Sequence, residues 1–182
     1  MPLIAPLPLE ELPPDLGAAV ESGRTTRMLS STIPVQIWAH RPNVALAWLK
    51  TIEEMHLRGL LEPRLRELVR LKIASITACR ACQVARKSDA VSEKDVACLG
   101  WDDPRYSERE QAALRYAELF AGDYLAIDEE VFAHLGRFFT TAEIVELNMF
   151  AALMLAGGRM TFVQRGYDED AEAEDAITAP AR

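Results

Sequence analysis

Apolar residues recur at three- and four-residue steps through most of this chain. In "PNVALAWLKTIEEMHLR" (42–58), Val44, Leu46, Trp48, Leu49, Ile52, Met55 and Leu57 mark one side of an amphipathic helix, and Gly59 closes it. Pro63 suits the first turn of the next helix, "PRLRELVRLKIASI", whose stripe is Leu65, Leu68, Val69, Ile73 and Ile76. Three capping boxes announce further starts: Ser92 with Asp95, Ser107 with Glu110, and Thr140 with Glu143. Asp128 ahead of "EEVFAHLGRFF" adds another N-cap, with acidic residues in the first turn. Only "TIPVQIW" (32–38) alternates like a strand, and Pro34 interrupts it. The pattern predicts an all-α fold of about seven helices, without a βαβ unit.

The ends of the chain read differently. Pro2, Pro6, Pro8, Pro13 and Pro14 fix φ and remove backbone donors, so the first sixteen residues are expected to be extended, within a Pro-rich arm over 1–26. The helical domain is expected over 27–167. From Asp168 onward, "DEDAEAEDAITAPAR" is acidic and poor in large apolar residues, which predicts a disordered tail over 168–182.

Composition narrows the function classes. With 182 residues, 49% hydrophobic and 26% charged, the chain has the balance of a soluble globular protein. A net charge of −8 argues against nucleic-acid binding, and the cluster of Arg64, Arg66, Arg70 and Lys72 reads as a solvated or salt-bridged helix face. The run "MFAALMLAGG" is about half a membrane span and reads as a buried helix. The N-terminal stretch has neither a basic leader nor a long apolar region, so a cytoplasmic location, with no membrane partner, is expected.

In a reducing compartment a C-x-x-C pair points to catalysis or metal more than to a structural staple, and "ITACRACQVARKSDA" holds one, Cys79 and Cys82. On one straight helix Glu67 and Cys79 would lie about 18 Å apart along the axis. A break at Thr77 instead folds the chain into a helical hairpin and sets both cysteines in the first turns of the second helix, where N–H groups favour thiolate. Arg86, four residues beyond Cys82, faces the same way and is placed to stabilise a Cys82 thiolate. Redox chemistry, metal binding and simple core filling all stay open on these residues alone. The third cysteine, Cys98, with His40, His56 and His134, supplies no second ligand pair at metal spacing, so no metal is expected, and Cys98 reads as a buried inert thiol.

Three stretches together resemble the carboxymuconolactone decarboxylase family, in its alkylhydroperoxidase D (AhpD)-like branch: "EPRLRELVRLKIASITACRACQVAR", "SEKDVACLGWDDPRYSEREQAALRYAELF" and "FTTAEIVELNMFAALMLAGGRM". The similarity runs from about His40 to Phe162. It implies an all-helical homo-oligomer, commonly a trimer or hexamer, with the cysteine pair at the start of a helix. It implies that Glu67, twelve residues before the first cysteine, belongs to the site, that Cys82 is the attacking thiol, and that Cys79 resolves its sulfenic acid as a disulfide. No cofactor is implied beyond a dithiol reductant as co-substrate, either a protein or a small thiol.

The chain departs from that pattern where a histidine is expected four residues after the second cysteine. Arg86 stands there, and Ala81 replaces a histidine that some members carry between the cysteines. Arginine is no base near neutral pH, so the usual relay cannot run; Arg86 is expected to act electrostatically and to pair with Glu67, and His40 is a possible substitute proton shuttle. The leading expectation is a thiol-dependent peroxidase or disulfide oxidoreductase cycling Cys79 and Cys82. The alternatives are a decarboxylase or lyase acting on a small carboxylated lactone, which Arg86 would hold by its carboxylate, and a non-catalytic redox-sensing helical oligomer.

Overall fold

The computed structural model describes residues 1–167, and the acidic tail expected over 168–182 lies outside the described residues. Nine α-helices form among the described residues, with no strand. They are α1 (Pro14–Thr25), α2 (Ile33–Trp38), α3 (Pro42–Arg58), α4 (Pro63–Ile76), α5 (Arg80–Val84), α6 (Glu93–Val96), α7 (Glu108–Gly122), α8 (Glu129–Leu135) and α9 (Thr141–Gln164). The chain groups into two units, Met1–Glu54 with the stretch from Arg159, and Met55–Gly158.

The two helices beyond the expected seven are α1 and α2, one within the expected Pro-rich arm and one where an alternating pattern suggested a strand. Pro14 occupies the first position of α1 and Pro34 the second of α2, sites where the missing N–H would have no intrahelical partner and the fixed φ is already helical. Residues 14–25, expected in a Pro-rich arm, are therefore helical, and "TIPVQIW" is a helix rather than a strand. Leu16 and Val20 of α1 and Val35 of α2 join Leu12, Met28, Ala39, and Ala45 and Leu49 of α3 in the core of the first unit. The residues before α1 are tied down by main-chain bonds, Leu3 N–H to Gln164 O at 3.0 Å and Leu7 N–H to Gln36 O at 3.2 Å.

In the second unit α4 is buried nearly all round. Leu65, Val69 and Ile73 face a core completed by Ala112, Ala113, Tyr116 and Ala117 of α7, Leu135 of α8, and Leu147, Phe150 and Ala151 of α9. Leu68 and Leu71, on another side of α4, meet Val91, Tyr106 and Leu114. The alanines of α7 let the two helices approach closely. By length and composition α9 is apolar enough to cross a membrane, and its buried positions serve this core.

The helix ends follow local chemistry. Ser92 with Asp95, Ser107 with Glu110 and Thr140 with Glu143 all form reciprocal boxes, and Asp128 caps α8 by accepting from Glu130 and Val131 N–H. The α3–α4 turn depends on Gly59: a Cβ there would lie 2.3 Å from Met55 O and 2.8 Å from Glu146 Oε1. That absence of a side chain admits the Glu146 carboxylate, which accepts from Leu60 N–H at 2.8 Å and Leu61 N–H at 3.0 Å. Arg66 reaches across to donate to Met55 O, and to His56 O at 3.0 Å, capping the last carbonyls of α3.

Candidate redox site

The chain does break at Thr77. Thr77 ends α4, its Oγ1 donating to Ile73 O at 3.0 Å, and Ala78 follows in the left-handed region at φ 53°. A single left-handed residue after a helix is the common way to turn a chain, and here it delivers Cys79 to the start of α5. Thr77 thus closes the first helix of the hairpin and does not, as the sequence suggested, open the second. Cys79 O accepts from Gln83 N–H at 3.0 Å, the first bond of α5.

Cys79 and Cys82 are joined as a disulfide, with Cα atoms 5.2 Å apart. The two sulfurs are not equivalent. Cys79 is 3% exposed, close to Gly158 of α9, whereas Cys82 is only half-buried. A partner entering from solvent meets Cys82 first. α5 has only five residues, so its aligned dipoles are few and most of the local field must come from side chains.

Those side chains come from α4. Glu67 is 2% exposed and Arg70 8%, and they form a fork-to-fork pair, Nε to Oε2 at 2.8 Å and Nη2 to Oε1 at 2.8 Å. Arg70 also donates from Nη1 to Cys82 O at 2.5 Å and from Nη2 to Ala85 O at 2.6 Å, while Glu67 Oε1 accepts from Lys87 N–H at 2.8 Å. A buried carboxylate is tolerated because its charge is paired and its lone pairs are used. Glu67 is joined to the cysteine helix through Arg70.

Arg86 does not pair with Glu67, contrary to expectation. It grips Glu93, Nε to Oε1 at 2.9 Å and Nη2 to Oε2 at 3.0 Å, and its Nη1 donates to the carbonyls of Gln83, Val84 and Ala85. α5 ends at Val84, so at Arg86 the chain has already left the helix and the four-residue step from Cys82 no longer sets a shared face. The guanidinium holds Glu93 below the usual carboxylate range. Two arginines, Arg70 and Arg86, therefore satisfy the carbonyls that a five-residue helix leaves open at its C-terminal end.

Lys87 completes the cluster. Its half-buried ammonium is pushed down to about 7, first by desolvation, then by the Arg70 charge, with Glu67 pulling the other way. His40 is exposed in the first unit, its Nε2 within 2.9 Å of Ala5 O. Cys98, read as buried, is an exposed thiol: α6 stops at Val96, so no helical apolar side extends to it. Of the basic stretch on α4, Arg64 binds Asp95 and Glu110, Lys72 binds Glu118, and Arg70 is the member that reaches the cysteines. Arg70 has a visible signal in sequence, its i,i+3 spacing from Glu67. The closeness of Lys87 to Glu67 has none, since it spans twenty residues of folded chain.

The same arrangement of helices occurs in solved structures. An alkylhydroperoxidase AhpD core, an uncharacterized peroxidase-related protein from Ralstonia eutropha JMP134, is similar at a TM-score of 0.66 and 19% identity, over 92% of each chain. The chain has the AhpD-like fold. The debrominase Bmp8, solved as a cysteine-to-alanine variant with 2,3,4-tribromopyrrole, shares that fold at a TM-score of 0.79 and 17% identity, over 96% of each chain. In sequence, the uncharacterized protein YnjA of Escherichia coli (strain K12) is 26% identical over 139 residues, covering 69% of this chain and 73% of its own. No family model matches the chain.

Proposed function

We propose that this protein is a thiol-dependent oxidoreductase in which Cys82 attacks and Cys79 resolves. The observation that carries the reading is the Cys79–Cys82 pair itself, one sulfur buried and one half-exposed, on a short helix whose far end is fixed by Arg70 and Arg86. With a hydroperoxide, the Cys82 thiolate takes the terminal oxygen and releases an alcohol. Cys79 then attacks the sulfenic acid, water leaves, and an external dithiol returns the disulfide to two thiols. Peroxide consumption with a dithiol reductant tests this directly. The rate should vanish in Cys82→Ser and fall strongly in Cys79→Ser, and an unchanged rate in Cys82→Ser refutes it.

A second substrate class is favoured by the likeness to a debrominase over nearly the whole chain. The same dithiol can reduce a carbon–bromine bond: Cys82 takes the halogen as the carbon accepts a proton, and Cys79 displaces bromide to give the disulfide. Bromide release from a brominated pyrrole, measured beside peroxide consumption, separates the two substrates. The lactone reading is less well supported, because Arg86, which would have to hold the carboxylate, is engaged with Glu93 and three carbonyls. Assembly of several copies is part of the proposal, supported by Val145 and Met149 of α9, which are 53% and 50% exposed and suited to burial against a second copy.

A further inference from the structure

Gly157 and Gly158 stand side by side in the interior of α9, where glycine weakens a helix relative to alanine. The surroundings of Gly158 supply a reason to keep it. It is buried, and a Cβ on it would lie 3.1 Å from Thr77 Oγ1, 3.7 Å from Thr77 Cβ and 3.8 Å from Cys79 Cβ. The last two are ordinary contacts, whereas the first requires the hydroxyl to give by a few tenths of an ångström. That hydroxyl does not swing away without loss, because it donates to Ile73 O at 3.0 Å and lies 3.4 Å from Ala74 O. The turn that carries it is stiff, since Ala78 holds the left-handed region with a side chain attached. The far side of the redox pair is fixed as well: Arg70 binds Cys82 O, and Gln83 Nε2 donates to Ala74 O at 3.1 Å.

We propose that Gly158 is a positioning residue for the redox pair, whose missing side chain lets the turn over 77–79 seat against α9 and so favours the disulfide over the dithiol. The inference rests on the proposed cycling of Cys79 and Cys82. Its direction follows from what each form ties together. In the disulfide, Cys79 is joined to the turn on one side and, through sulfur, to the moored Cys82 on the other, so an outward shift of the turn is carried into the bridge. In the dithiol that covalent link is open, and the turn yields at less cost. A methyl group at position 158 therefore disfavours the disulfide more than the dithiol. The weakening of α9 by a glycine is common to both forms and cancels from the equilibrium between them.

The test is the equilibrium of the full-length protein with dithiothreitol. Two electrons and two protons pass from that dithiol to the Cys79–Cys82 bridge, giving two protein thiols and the cyclic disulfide of the reagent. After an acid quench and alkylation, peptide mass spectrometry reads Cys79 and Cys82 apart from the exposed Cys98. Gly158→Ala should shift the equilibrium about tenfold toward the dithiol, the effect of an overpacked contact felt in one form. Thr77→Ala removes the hydroxyl that the methyl meets, so adding Gly158→Ala to it should move the equilibrium by no more than about twofold. Circular dichroism of both forms checks the fold, and a Gly158→Ala protein that folds only when reduced bears the inference out. A Gly158→Ala equilibrium within about twofold of wild type overturns it. So do a shift toward the disulfide, an equal shift in the Thr77→Ala background, and a Gly158→Ala protein that fails to fold when reduced. Turnover assays keep the two readings apart. A protein inert toward peroxide and bromopyrrole whose equilibrium shifts in Gly158→Ala loses the proposed activity and keeps this inference, and Cys82-dependent turnover with an unmoved equilibrium does the reverse.

Discussion

Replacing Arg70 by methionine keeps the length of the side chain and deletes its charge. It removes both contacts to the Glu67 carboxylate and both to the carbonyls of Cys82 and Ala85. That leaves Glu67, 2% exposed in the native protein, with the Lys87 N–H as a hydrogen-bond donor and no compensating charge from Arg70. Charge-assisted hydrogen bonds contribute about 1.5–3 kcal/mol each but are not additive within a network. Breaking a buried pair by removing one partner costs about 3–5 kcal/mol, and that range is the expected loss for Arg70→Met. Urea unfolding of the oxidised protein, followed by circular dichroism, measures it. The double variant Glu67→Leu with Arg70→Met should recover most of the loss, because it removes the stranded carboxylate as well as its partner. A single-variant loss below about 1 kcal/mol, or a double variant no better than the single, would refute the view that Arg70 serves mainly to pair Glu67.

Arg86→Ala should leave global stability little changed while raising amide exchange across α5 about tenfold, the equivalent of roughly 1.4 kcal/mol of local opening; unchanged exchange there would remove its role as a cap. Gly59→Ala places a methyl against Met55 O and Glu146 Oε1 and should cost about 1–3 kcal/mol, read as a lower Tm. Acid should weaken the α9 start. Thr140 N–H first, then Arg109, hold Glu143 at about 2, against 4.5 unperturbed, so its contribution is complete above about pH 4.5 and is lost as the pH falls through 2. Glu143→Gln should therefore flatten the stability curve between those values, and a curve parallel to wild type would contradict this.

The helix starts were legible because a capping box is a local device: Ser92, Ser107 and Thr140 each find their partner three residues on, whatever the rest of the chain does. Proline was misleading for a related reason. At Pro14 and Pro34 it sits in the first turn of a helix, where it is tolerated, and only the surrounding core decides between that and extended chain. The break at Thr77 was legible in the sequence, but the length of the helix after it was not. Because α5 stops at Val84, Arg86 leaves the face it would share with Cys82 on a longer helix, and Arg70 takes the place beside Glu67 that the sequence offered to Arg86. The burial of Cys79 near Gly158 and the bond from Lys87 N–H to Glu67 are products of tertiary folding and leave no periodic trace.

The carbonyls of α5 are held from two sides, by Arg70 from the helix before it and by Arg86 reaching to the helix after it. None of these contacts involves sulfur. When the disulfide opens, the segment remains moored by guanidinium groups, so the two thiols stay neighbours instead of drifting into a loose loop. In the proposed redox cycle the oxidised and reduced forms would then share nearly the same backbone, with little reorganisation between them.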